Sequence, residues 1–135
     1  MKDKDLVAQA ALVRLRAYAP YSHYTVGAAL LGRSGRVYTG CNVENAVYPL
    51  TLCAERVAVF KAVSEGERGF EAIAVVTDNG APPCGSCRQV LAEFGSDIRV
   101  LMATPEELVA EKSVSELLPL TFDVTYLAQG GPHRE

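Results

Sequence analysis

Three cysteines and one glutamate stand at spacings that can do chemistry. Cys53 and Glu55 lie two residues apart in Cys53-Ala54-Glu55-Arg56, and Cys84 and Cys87 frame Pro83-Cys84-Gly85-Ser86-Cys87-Arg88. Thiolates are soft ligands that favour zinc. Three protein ligands leave the fourth tetrahedral position for water, which marks a catalytic rather than a structural zinc site. A carboxylate beside that water takes its proton and passes it on. Alone, Glu55 reads as a first-turn acid favoured by a helix dipole. Beside two cysteine motifs it reads as the proton shuttle of a hydrolase.

The charge count adds a requirement. Zinc with three thiolates carries excess negative charge, which works against acidifying a bound water; the usual value near ~7 belongs to sites with neutral imidazoles. Two helix N-termini aimed at the sulfurs would offset part of this. Arg56 and Arg88 each follow a ligand closely. Arg56 is the expected donor to ligand sulfur, because its helix is too apolar to leave much exposed face; for Arg88 a solvated side chain is an equal alternative.

The surrounding pattern supplies the elements that hold these residues. Leu6, Ala10, Val13 and Ala17 recur at helical spacing, which predicts an opening amphipathic helix ended by Pro20. Residues 18–24 form a tyrosine-rich loop. Val26 to Leu31 and Val37 to Cys41 predict a hairpin around Gly32-Arg33-Ser34-Gly35. Asn42-Val43-Glu44-Asn45 is a polar cluster at the strand end, and Pro49 breaks the chain before Cys53. Residues 54–64 predict a helix that is apolar nearly all round, hence deeply buried. Ala72 to Val76 and Ile98 to Met102 predict central strands covered on both faces. Between them, Cys87, Val90, Leu91 and Phe94 predict a helix with Gly95 as its cap. Thr104-Pro105-Glu106-Glu107 predicts a further helix start. Ser113 to Leu118 predicts one helical turn, the alternation of Phe122, Val124 and Tyr126 a last strand, and residues 129–135 a loose tail. Interleaved strands and helices give an α/β fold, a mixed sheet with helices on both faces, in a single domain over residues 1–135.

Composition narrows the partners. The chain has 135 residues, a formal net charge of -3 and 49% hydrophobic residues. Its sequence pI of about 5.4 argues against a nucleic-acid partner, which needs clustered Lys and Arg. No stretch is long and apolar enough to span a bilayer, and the charged start is not followed by a signal-type apolar region. A cytoplasmic location is expected. In a reducing cytosol the four cysteines favour metal over disulfide use. Cys41 reads as a small buried hydrophobe within a strand. Loop solvation is the better reading of His23, and a tail position leaves His133 without a role.

A Cys-x-Glu followed by Pro-Cys-x-x-Cys is recognised as the signature of zinc deaminases. The chain closely resembles the small homotetrameric cytidine deaminases with three cysteine ligands, from Tyr18-Ala19-Pro20-Tyr21-Ser22 to about Phe122. The agreement includes Val26-Gly27-Ala28-Ala29-Leu30-Leu31, Gly40-Cys41-Asn42-Val43-Glu44-Asn45-Ala46 and both cysteine motifs. The resemblance implies a three-layer α/β/α sandwich around a mixed five-stranded sheet. It implies one zinc ion per subunit on Cys53, Cys84 and Cys87, with Glu55 as proton shuttle. It implies that Asn42 and Glu44 hold the ribose hydroxyls, and that Ala54 and Glu55 address the pyrimidine. Tyr24 falls where the family usually has Phe near the base, and its added hydroxyl needs a partner or water. Ala46, Tyr48 and Phe122 fall at positions that complete a neighbouring subunit's site; ordinary packing is an equal reading of Tyr48 and Phe122.

The implied reaction is hydrolytic deamination of free cytidine and 2′-deoxycytidine to uridine and 2′-deoxyuridine, a step of pyrimidine salvage. The alternatives are a sibling deaminase of another cytosine-bearing compound such as blasticidin S, a polynucleotide deaminase, and a non-catalytic zinc module. The nucleoside-reading pair Asn42 and Glu44 speaks against the first. The acidic balance speaks against the second. The third would need a fourth ligand, for which only Cys41 is spare.

Overall fold

Two glycines mark where the layers touch. A Cβ at Gly40 would stand 2.6 Å from the Ala54 carbonyl oxygen and the Ala58 nitrogen, and a Cβ at Gly27 would stand 2.0 Å from the Ala10 carbonyl oxygen. One helix therefore lies directly on each face of the sheet at these points, and only glycine permits the approach. The computed structural model describes residues 1–127. The expected tail from residue 129, with His133, lies outside the described residues.

The helix over Gly27 is α1, Asp3–Arg14; the helix over Gly40 is α2, Ala54–Ser64. The strands are β1 (Gly27–Gly32), β2 (Val37–Cys41), β3 (Phe70–Val76), β4 (Arg99–Ala103) and β5 (Leu108–Ser113), in the order β2-β1-β3-β4-β5. β3 and β4 run parallel and are joined through α3, Gly85–Phe94; the other neighbouring pairs are antiparallel. Short helices α4 (Val114–Leu117) and α5 (Val124–Leu127) follow, and a single 3₁₀ turn, Tyr48–Leu50, precedes α2.

Every residue of β1 is buried, which explains its unbroken apolar run. Ala29, Leu31, Ala74 and Val76 pack against Leu6 and Ala10 of α1. On the opposite face Leu30, Ile73, Val75 and Val100 pack against Ala58, Val59 and Ala62 of α2 and Leu91 of α3. This is the expected mixed five-stranded sheet between helical layers. Burying a side chain of Leu size contributes roughly 1.5–3 kcal/mol, so both layers are strongly held. No helix among the described residues is long and apolar enough to cross a membrane.

Four local expectations are corrected. The opening helix ends at Arg14, not at Pro20. Tyr18 leaves it because its backbone pairs with that of Asn42 and Glu44. Residues 104–107 do not open a helix. The Thr104 hydroxyl accepts from the N–H groups of Glu106 and Glu107 in a closed turn, and β5 then pairs with β4. The capping residue thus serves a turn, a use that Thr chemistry equally supports. Around Phe122–Tyr126 the alternation does not make a strand: residues 124–127 are α5, and the Phe122 and Tyr126 rings stack at 5.7 Å. The fifth strand is β5, which is mostly exposed and lacks a buried apolar face to announce it. Gly95 does follow α3, but in extended backbone rather than a left-handed cap.

Candidate active site

Both cysteine motifs become helix starts. Cys53 is the N-cap of α2 and Cys84 the N-cap of α3, with Cys87 in the first turn of α3. The three sulfurs lie within 4.8 Å of one another. Cys84 Sγ is 3.5 Å from Cys87 Sγ and 4.0 Å from Cys53 Sγ. Zn–S bonds of about 2.3 Å in a tetrahedron put sulfurs roughly 3.8 Å apart, so the spacing fits one zinc ion. All four cysteines are free thiols.

The electrostatics fit as well. Arg56 Nη2 donates to Cys53 Sγ at 3.3 Å, as expected from the charge count. Its Nε is buried and has no hydrogen-bond partner among the described residues. A buried cationic donor with spare capacity matches a centre of excess negative charge. The thiols share protons unevenly. A hydrogen bond from Cys87, together with Arg56, brings Cys53 down to about 5. Cys87 is raised, chiefly because it donates to Cys53 and is buried. Arg88 serves the scaffold instead: it donates to the carbonyls of Pro83 at 2.8 Å and Leu117 at 2.7 Å, tying the start of α3 to the end of α4.

Glu55, on the first turn of α2, is only 5% exposed. Burial pushes its carboxyl up to about 7, and the negative Cys53 adds to the effect. A carboxyl that exchanges its proton near neutrality is suited to take and return protons.

Asn42 and Glu44 arrive at the thiolates by strand pairing. The chain beyond β2 bridges Tyr18 on one side and Leu52 on the other through Val43. Residues two apart on such a strand share a face, so Asn42 and Glu44 point the same way, and Leu52 delivers Cys53 beside them. They line one cavity of about 320 Å³ together with Tyr24, Ala54, Glu55 and the sulfur-bearing Cys53 and Cys84. This volume is at the small end of ligand sites.

Both polar residues already have structural partners. Asn42 accepts from the Val26 N–H at 2.9 Å and donates to the Tyr24 carbonyl at 2.8 Å, which fixes its amide orientation. Glu44 accepts from the N–H groups of Tyr21 and Ser22 at 2.9 and 3.1 Å and from the Ser22 hydroxyl. Those bonds, that of the Ser22 hydroxyl first, hold it below its ordinary value of 4.5. Each retains capacity for a ligand: an amide has a second N–H, and a carboxylate has about four acceptor positions.

Ala46, Tyr48 and Phe122 do not line this cavity. All three are exposed, Tyr48 to 71% and Phe122 to 55%. His23 is exposed with a positive φ of 59°, and Cys41 is half-buried at the end of β2. Sequence reasoning missed the roles of Ser22, Thr77 and Asn79. Thr77 is 3% exposed and lines the cavity. A polar run directly after an apolar central strand, at 77–79, was the available signal.

Comparison with known proteins places this geometry in a family. The model for the "cytidine and deoxycytidylate deaminase zinc-binding region" matches residues 1–104. A cytidine deaminase of Sporosarcina psychrophila is 47% identical over a 135-residue alignment that covers 96% of this chain and 99% of the relative. One from Halalkalibacterium halodurans is 52% identical over 125 residues, covering 90% and 95%. The crystal structure of a Burkholderia pseudomallei cytidine deaminase superposes with a TM-score of 0.87 at 45% identity, covering 90% of this chain and 100% of that one. With three sulfurs, a buried carboxyl and a shared cavity on the matching fold, the chain belongs to the cytidine and deoxycytidylate deaminase family.

Proposed function

We propose that this chain deaminates free cytidine and 2′-deoxycytidine by hydrolysis, consuming water and releasing ammonia. One observation carries the reading: Cys53 and Cys84 of the three-sulfur cluster and the buried Glu55 share a small cavity with Asn42 and Glu44. Zinc held by Cys53, Cys84 and Cys87 would supply Lewis acidity to the attacking water. Glu55 takes a proton from that water and places it on N3 of the ring. It then carries a second proton to the amino nitrogen, which leaves as ammonia as the C4 carbonyl forms. Arg56 offsets the charge of the thiolates. Asn42 and Glu44 use their remaining hydrogen-bonding capacity on the ribose hydroxyls, and the Ala54 backbone and Tyr24 ring address the base.

The test is a cytidine assay for ammonia and the uracil spectrum, with zinc quantified in the same sample. Glu55→Ala is expected to lose about 10²–10⁴-fold in turnover. Full turnover in that variant would overturn the assignment.

The same reading extends to assembly: one catalytic domain over residues 1–135, in a cytoplasmic homotetramer. Supporting it, Ala46, Tyr48 and Phe122 are exposed and lie off the cavity of their own chain, as residues serving a neighbouring subunit would. Light scattering should give four copies of the 14.5 kDa chain; a monomer with full activity would contradict it.

A further inference from the structure

Resting on the deaminase reading above, we propose that Asn79 is a positioning residue whose side-chain carbonyl tethers the Tyr24 ring at the edge of the cavity. The Tyr24 hydroxyl donates to Asn79 Oδ1 at 2.8 Å. The same Oδ1 accepts from the Thr77 hydroxyl at 3.3 Å, and Thr77 Oγ1 in turn accepts from the Ala81 N–H at 3.0 Å. The acceptor that meets the phenol is therefore fixed to the turn that follows β3.

A second link runs behind this one. Arg14, from the end of α1, donates through Nε to the Thr25 carbonyl at 3.1 Å and through Nη2 to the Asp78 carboxylate. Thr25 and Asp78 are the chain neighbours of Tyr24 and Asn79, so the two loops are cross-tied on both sides. Asn42 holds the Tyr24 carbonyl. Tyr24 is thus fixed at its backbone by Asn42 and at its tip by Asn79, and both torsions of the ring are set before a ligand arrives. An aromatic side chain that must be ordered on binding costs affinity. The hydroxyl that a phenylalanine would lack is here the tether, and it should act on substrate binding rather than on proton transfer.

The test is a double-mutant cycle on cytidine kinetics. Tyr24→Phe and Asn79→Ala should each raise KM roughly twofold to fivefold with kcat within about twofold. The double variant should be no worse than either single one. Asn79→Asp, which keeps an acceptor for the phenol, should return KM towards the parent value. Unchanged KM in the single variants, or a double variant equal to the product of the two, would overturn the proposal. Y24F removes the same bond from the other side, so the prediction stands on it alone if N79A does not fold. Fluorine NMR of protein labelled with 3-fluorotyrosine separates this from the deaminase reading. The Tyr24 line, assigned by its loss in Y24F, should move in N79A. A parent protein without activity would sink the proposed function, whereas an unmoved Tyr24 line would sink the tether.

Discussion

At the scale of single residues, Arg56 has the most specific consequence. It is the cation that reaches a ligand sulfur, and its buried Nε has no partner among the described residues. Outer partners of metal ligands typically matter 10–100-fold. Arg56→Gln, which keeps a donor but removes the charge, should therefore weaken zinc retention in a competition with a chromogenic chelator by roughly 10-fold or more. Retention equal to the parent would show that the thiolates need no cationic support. This residue was legible from the charge count together with its place beside Cys53 on an apolar helix. Arg88 was not, because sequence gives no sign of two carbonyls that fold back towards it from residues 83 and 117.

Glu44 and Glu67 make a prediction at the same scale. The Ser22 hydroxyl holds Glu44 below its ordinary 4.5, and the Ser34 hydroxyl does the same for Glu67. Groups with depressed native values stabilise the fold fully above the unfolded value. That contribution is lost as pH falls through the native one. Thermal stability should accordingly decline on acidification below about 4.5, and Glu67→Gln should flatten that decline. An identical pH profile for the variant would remove Glu67 from the account.

At the scale of elements, the contact of α2 with β2 at Gly40 constrains the site directly, because it meets the turn that carries Ala54 and Glu55. A Cβ there meets backbone, which cannot swing aside. Gly40→Val should cost at least the ~1–3 kcal/mol of ordinary overpacking, read as a fall in the urea midpoint, and should also displace Cys53 and Glu55. Normal stability with normal zinc binding would mean that the layer separation is adjustable. The elements around the site could be read from sequence where burial forces a pattern, at β1, β3 and β4. α2 was legible as a helix, but its expected deep burial all round is corrected, since Phe60 is 46% exposed. Legibility failed at β5 and α5, where few residues are buried and hydrophobic periodicity carries little information. The Thr104 turn misled for a related reason, since one capping residue suits both a helix start and a closed turn.

At the scale of the whole molecule, two of the three cysteines proposed to hold zinc sit at the start of α3 and one at the start of α2. An ion shared by two helices binds the folded state far more tightly than the unfolded chain, in which only Cys84 and Cys87 remain close. Zinc at 1,000 times its dissociation constant would add about 4 kcal/mol. Chelation should then lower Tm on the order of 10 °C in a chain of this size, with recovery on adding zinc back. A Tm indifferent to chelation would mean that the cluster is not a tight site. Nothing in sequence spacing shows that Asn42 and Glu44 share a cavity with the sulfurs. That follows from the pairing of Val43 with both Tyr18 and Leu52.

The Val43–Leu52 pairing also has an evolutionary reading. Two backbone hydrogen bonds of 3.0 Å close the excursion between these residues, and the excursion carries the exposed Ala46, Val47, Tyr48 and Leu50. Its ends are fixed, so lengthening or rewriting its tip leaves Asn42 and Cys53 where they are. The residues proposed to read the substrate and to hold the metal are thereby kept together by one backbone pairing. In the proposed homotetramer the outward Ala46 and Tyr48 serve a neighbouring cavity, so the tip of the excursion evolves with the assembly, while the sulfur cluster of its own chain is left undisturbed.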